Sequence, residues 1–114
     1  MAGCIITPDG DGNVLIPANA DFPKYAFYKC ETLKSVTISE GITTIPQGAF
    51  DGATGLESVV FPQDGLSTIS ANAFAGTSAL KTINLPSTLT SISVNAFTGS
   101  GITDLVIPGS LKII

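Results

Sequence analysis

Two cysteines, nine carboxylates and five lysines make up the reactive side-chain chemistry of this 114-residue sequence, and histidine is absent. Without imidazole the commonest general base near neutral pH and a common metal ligand are both missing. Asp51, Asp64 and Asp104 are candidates for paired carboxylate catalysis, but they fall at different positions of a repeating unit, so stacking its copies does not bring them together. Neither a G-x-S-x-G elbow nor a G-x-x-x-x-G-K-S/T phosphate loop is present. The residues point to no enzyme activity, no metal and no cofactor.

Two local features could still carry chemistry. Asp9-Gly10-Asp11-Gly12-Asn13 resembles the start of a calcium loop, with side-chain oxygens at alternate positions. It lacks the following glycine and the bidentate glutamate at the twelfth position, so a glycine-rich turn leading into a strand at Val14 is the better reading. Cys4 and Cys30 could bridge and pin the N-terminal segment. Cys30, however, occupies an interior small-residue column, so a buried thiol is the simpler account.

Composition narrows the class of protein. Hydrophobic residues make up 44% and charged residues 12%, enough to build a core and too apolar for a disordered chain. The length suits one domain. With a net charge of −4 and no arginine, the chain has no basic patch for phosphates or base edges, which argues against nucleic acid. No apolar run is long enough to span a membrane. The N-terminus, Met1-Ala2-Gly3-Cys4, has neither a charged leader region nor a hydrophobic one, so it does not read as a signal peptide.

The elements that must position any site come from an internal repeat. Ala-Phe recurs at 26–27, 49–50, 73–74 and 96–97, at intervals of 23, 24 and 23 residues. Each Phe is followed by an aliphatic residue (Leu33, Leu56, Leu80, Ile102), then by a period-two pair (Val36/Ile38, Val59/Phe61, Ile83/Leu85, Leu105/Ile107). A further pair closes each unit: Ile42/Ile45, Leu66/Ile69, Leu89/Ile92 and Leu111/Ile114. The extra residue of the longest unit falls in Gln63-Asp64-Gly65, where a turn absorbs it.

The alternating, β-branched pair predicts a strand, and Pro62, Pro86 and Pro108 end it. Asn72 and Asn95 before Ala-Phe, with Gly76 and Gly99 after it, predict an asparagine-capped single helical turn stopped by glycine. One unit this short cannot bury its apolar stripe, so units must stack, with Phe27, Phe50, Phe74 and Phe97 as the central core column.

The unit A-F-x-x-(small)-x-x-L-x-x-V-x-I-P-x-x-L-x-x-I resembles the BspA-like leucine-rich repeats of bacterial surface proteins. Residues 73–95, A-F-A-G-T-S-A-L-K-T-I-N-L-P-S-T-L-T-S-I-S-V-N, follow that pattern nearly column for column. The small or Cys position of the pattern is filled by Cys30, Ala53, Thr77 and Ser100, and the last unit is one residue short before Ile102. The resemblance implies a leucine-rich-repeat solenoid, mainly β. It would have right-handed coils, a parallel sheet on the concave side and short or single helical turns elsewhere. The resulting division is an atypical N-terminal cap with one degenerate repeat (1–25), then units 26–48, 49–72, 73–95 and an incomplete 96–114, all one domain. The resemblance further implies recognition of proteins, with adhesion to host proteins at a cell surface as the family setting.

Residues between the inward-facing strand positions would point out and stack into columns. One column reads Leu15, Thr37, Val60, Asn84, Val106 and the next Asn13, Ser35, Ser58, Thr82, Asp104. Ser35, Thr37, Ser58, Val60, Thr82, Asn84, Asp104 and Val106 are therefore the candidate contacts for a protein or peptide partner. A third column, Lys34, Glu57, Lys81, Thr103, is an exposed charge ladder of small energetic weight. The sequence ends on apolar Leu111, Ile113 and Ile114. Either the chain continues in a longer protein, or this end stacks on another copy or on an assembly partner. The alternative to a binding module is a structural subunit that associates through this end.

Overall fold

The computed structural model describes residues 4–18, 22–93, 95–105 and 108–109. Its strands are β1 (Asn13–Ile16), β2 (Ser35–Ile38), β3 (Thr44–Ile45), β4 (Ser58–Val60), β5 (Thr68–Ile69), β6 (Thr82–Ile83), β7 (Ser91–Ile92) and β8 (Asp104–Leu105). They form three parallel ladders, β1-β2-β4, β3-β5-β7 and β6-β8. The register is that of the repeat: Val14 lies beside Val36 and Val36 beside Val59, Ile45 beside Ile69, and Ile83 beside Leu105. The fold is a leucine-rich-repeat solenoid, and no helix forms among the described residues.

The period-two pattern orients the strands. Val14, Ile16, Val36, Ile38, Val59 and Ile83 are buried, while the residues between them face outward. Behind this sheet, Phe27, Phe50, Phe74 and Phe97 stack with centroid separations of 5.4, 5.1 and 5.5 Å and nearly parallel rings. The first three are fully buried and Phe97 is partly exposed. Each full burial contributes about 1.5–3 kcal/mol before entropy is counted. The interior small-residue column holds its polar member as well: Thr77 is buried, and its hydroxyl donates to the Phe74 carbonyl at 2.7 Å.

The second sheet, β3-β5-β7, goes beyond the sequence expectation, which read only an apolar pair there. Its signal is a Ser or Thr followed by Ile at 44–45, 68–69 and 91–92, a short β-forming pair whose Ile is buried each time.

The Ala-Phe turns correct the expected capped helix. Asn72 and Asn95 have φ of 58° and 60°, the left-handed region, rather than the extended backbone of an N-cap. Tyr25 (58°) and Gly48 (64°) fill the same column, and a second left-handed column holds Lys29, Gly52, Gly76 and Gly99. Asn and Gly enter this region more cheaply than other residues. The two bends return the chain in a tight turn, closed locally by Ala75 N–H donating to Asn72 C=O and Thr77 N–H to Phe74 C=O.

The turns also bond to one another along the stack, always in one direction. The amides of Tyr25, Phe27 and Lys29 donate to the carbonyls of Gln47, Ala49 and Asp51, and those of Gly48, Phe50 and Gly52 to Ala71, Ala73 and Ala75. Phe74 and Gly76 continue the series to Ala96 and Thr98. At the N-terminal side Ile5 adds one rung, its amide donating to Ala26 at 3.1 Å. This places Ile5 in the Phe column of a vestigial preceding turn.

The cysteines correct the second expectation. Cys4 and Cys30 form a disulfide, with Cα atoms 5.3 Å apart. Cys30 keeps its buried place in the small-residue column, and its sulfur bonds to that of Cys4 in the N-terminal segment. Among the described residues no helix is long and apolar enough to cross a membrane.

Candidate interaction face

Parallel pairing brings the outward side chains of β1, β2 and β4 into two columns. Asn13, Ser35 and Ser58 are laterally adjacent, as are Leu15, Thr37 and Val60. Leu15 is 60% exposed and Val60 55%, two of only four large hydrophobic residues so open among those described. At a strand spacing of about 4.8 Å they lie about 10 Å apart, with exposed Thr37 between them. Ser35 is half-buried and donates from its hydroxyl to Asn13 Oδ1 at 2.9 Å, so the polar column is internally linked.

The columns continue with exposed Thr82 and Asn84, Thr82 pairing with Asp104 across β6-β8. Val106, Leu111, Ile113 and Ile114 lie outside the described residues. Of the charge column, Lys81 Nζ donates to the Ser78 carbonyl at 3.3 Å rather than pairing with Glu57.

The Asp9 turn is closed by its own backbone. Oδ1 of Asp9 accepts from the amides of Asp11 (2.9 Å) and Asn13 (3.0 Å), and Gly12 N–H donates to the Asp9 carbonyl. The Asn13 amide first, then that of Asp11, holds the Asp9 carboxyl below its ordinary value of 3.8. Among the described residues no group of three potential ligands gathers around a metal position.

A second cluster was not foreseen from the sequence. Tyr25 and Tyr28 meet edge-to-face at 5.6 Å and 87°, Lys29 Nζ sits 5.3 Å from the Tyr28 centroid, and the Gln47 amide donates to Tyr25 Oη at 3.2 Å. The signal was present in the repeat: Tyr25 and Lys29 fall in columns that later units fill with Gly or Asn. Only the dihedral angles show why those columns matter.

Two surfaces therefore stand out among the described residues: a hydroxyl- and amide-bearing sheet face with two apolar points, and an aromatic edge on the turn side.

Known structures share this architecture. A leucine-rich-repeat protein of T. pallidum superposes with a TM-score of 0.84 at 30% identity, covering 100% of this chain and 60% of that one. One from Bacteroides ovatus gives 0.80 at 28% identity over 90% of this chain and 29% of that one. One from Bacteroides capillosus gives 0.71 at 23% identity, over 92% and 78%, a likeness of fold alone. The chain thus spans less than two thirds of the length of the first two. No curated protein matches it. A family model described as "BspA type Leucine rich repeat region (6 copies)" matches residues 13–114, and the chain accordingly belongs to the BspA-type leucine-rich-repeat family.

Proposed function

We propose that the chain is a non-catalytic protein-interaction module of the BspA type, which uses the exposed face of β1, β2, β4 and the following coil to bind an extended protein segment at a cell surface. Leucine-rich-repeat domains generally bind proteins. The observation that carries the reading here is the pair Leu15 and Val60, exposed on either side of Thr37 on a sheet that otherwise shows only short polar groups. Such a face gives an extended partner two apolar seats with Thr37 between them and a row of hydrogen-bonding groups alongside: Asn13, Ser35 and Ser58. The Cys4–Cys30 disulfide supports a setting outside the reducing cytosol.

The test is selection of a random peptide library on the folded chain, followed by binding measurements on the Leu15→Glu/Val60→Glu variant. Peptides whose affinity drops by about tenfold or more in the variant, with an unchanged circular dichroism spectrum, support the face. A selected set indifferent to both substitutions rejects it.

A further inference from the structure

Residues 4–8 are tied to the stack at few points. Among the described residues their backbone makes one bond to the first coil, the Ile5 amide donating to the Ala26 carbonyl at 3.1 Å. Cys4 and Ile6 pack against the core while only half-buried, and Ile5 is 45% exposed. The remaining tie is the Cys4–Cys30 bridge. Anchored structure begins at Asp9, whose carboxylate accepts the amides of Asp11 and Asn13, and the Gly12 carbonyl accepts those of Lys34 and Ser35. The segment before Asp9 can therefore come away without parting β1 from β2.

The other end of the bridge sits where the stack can do without it. Ala53 and Thr77 fill the column of Cys30 in the next two coils, and both are buried with no bridge. The Thr77 hydroxyl donates to the Phe74 carbonyl at 2.7 Å. Cys30 stands in the same relation to the Phe27 carbonyl, which already accepts the Cys30 amide at 3.0 Å. A Cys30 thiol thus has an acceptor beside it and suits a small buried site. The two half-cystines also differ in access: Cys30 is 1% exposed and Cys4 half-buried, so an incoming thiolate approaches on the Cys4 side.

We propose that the Cys4–Cys30 bridge is a redox latch, which a dithiol reductant opens to free residues 4–8 while the coils stay folded. A thiolate of the dithiol attacks Cys4 Sγ, the S–S bond breaks, and Cys30 leaves as a thiolate that takes a proton from solvent. The second thiol of the reductant then displaces Cys4 from the mixed disulfide. The bridge gains two electrons and two protons, and the dithiol departs as its own disulfide. Opening uncovers the Ala26 carbonyl and the flank of the core beneath Cys4 and Ile6. That carbonyl ends a ladder: its equivalents Ala49, Ala73 and Ala96 accept the amides of Phe27, Phe50 and Phe74. The latch therefore controls access to the N-terminal end of the stack.

The test treats the folded full chain with dithiothreitol, without denaturant, and traps thiols with iodoacetamide for peptide mass spectrometry. Cys4 should alkylate about tenfold or more faster than Cys30. Hydrogen exchange should rise over residues 4–8 and stay slow at the amides of Phe27 and Lys29, which bond to Ala49 and Asp51 in the next coil. The circular dichroism spectrum should hold, and oxidised glutathione should restore protection at Ile5. Cys30→Thr, which supplies the residue that the column has at Thr77, should show the same freed segment on an intact stack without reductant. A bridge that opens only in denaturant overturns the proposal, as does reduction that leaves exchange over residues 4–8 unchanged. Equal alkylation of both thiols with loss of the dichroism signal, or a Cys30→Thr chain that does not fold, also overturns it and makes the bridge a staple of the whole stack.

Discussion

Glu40 reaches across one coil to Gln63, its Oε2 accepting the Gln63 amide at 2.8 Å while Oε1 accepts that of Asp64 at 3.3 Å. Gln63-Asp64-Gly65 is where the 24-residue unit carries its extra residue, and a side chain of the preceding unit closes the amides that this turn exposes. Glu40→Ala should cost about 1 kcal/mol in urea unfolding, and Glu40→Gln, which keeps an acceptor, clearly less. Equal costs for the two would show that the carboxylate is not what holds the turn.

The Phe column should respond by position. Phe74→Ala should cost about 3–5 kcal/mol, since the ring is fully buried between Phe50 and Phe97. Phe97→Ala, partly exposed, should cost roughly half as much. Chemical denaturation of the two variants checks the ranking, and a larger loss at Phe97 would contradict it.

The disulfide closes a loop of sequence separation 26. The chain-entropy relation gives about 3.5 kcal/mol for such a loop. Cys4→Ser, or reduction of the wild type, should lower stability by an amount of that order. Hydrogen exchange at the Ile5 amide, the one rung that the N-terminal segment adds to the turns, should accelerate first.

Gly48 and Tyr25 should be coupled. A Cβ at Gly48 meets the Tyr25 ring and sits at a φ of 64°. Gly48→Ala should therefore cost more than about 2 kcal/mol. Tyr25→Asn in the same chain removes the collision but not the backbone strain, and should recover part of the loss. A double-mutant cycle without coupling would remove the ring from that position.

Asp9 gives a pH dependence. Its carboxyl is held below 3.8 because the charged form accepts the amides of Asn13 and Asp11. The stabilisation is present above the ordinary carboxyl value and is lost as pH falls through the lowered native one. In an NMR titration the Asp11 and Asn13 amide signals should move together, with a midpoint below 3.8. A midpoint above that value would contradict the hydrogen bonding.

The large features of the fold were legible because they rest on periodicity. Val36 and Ile38 alternate around Thr37, and their equivalents recur every 23 or 24 residues, so strand, inward face and stacking follow from spacing. What escaped was what a residue type leaves ambiguous. Asn72 and Asn95 suit a helix cap and a left-handed bend equally, and only the backbone angle separates the two. Cys30 sits where Ala, Thr and Ser also fit, and Cys4 lies in a segment that carries no repeat to align it. The tyrosine edge stayed hidden for a related reason: Tyr25 looks like ordinary variation until its column is seen to be left-handed. The sheet face was readable as columns, but the exposure that singles out Leu15 and Val60 belongs to the three-dimensional surface.

The one-way bonding of the Ala-Phe turns has an electrical consequence. In an ordinary sheet the peptide dipoles of neighbouring groups alternate and nearly cancel. Here the amides from Tyr25 to Gly76 that bond between turns all point toward the C-terminal coils, and the carbonyls they meet point back. Dipoles of about 3.5 D each therefore add along the stack, as they do along a helix. The first coil is the negative pole of this column, so the backbone itself favours a positive charge where Lys24 and Lys29 stand.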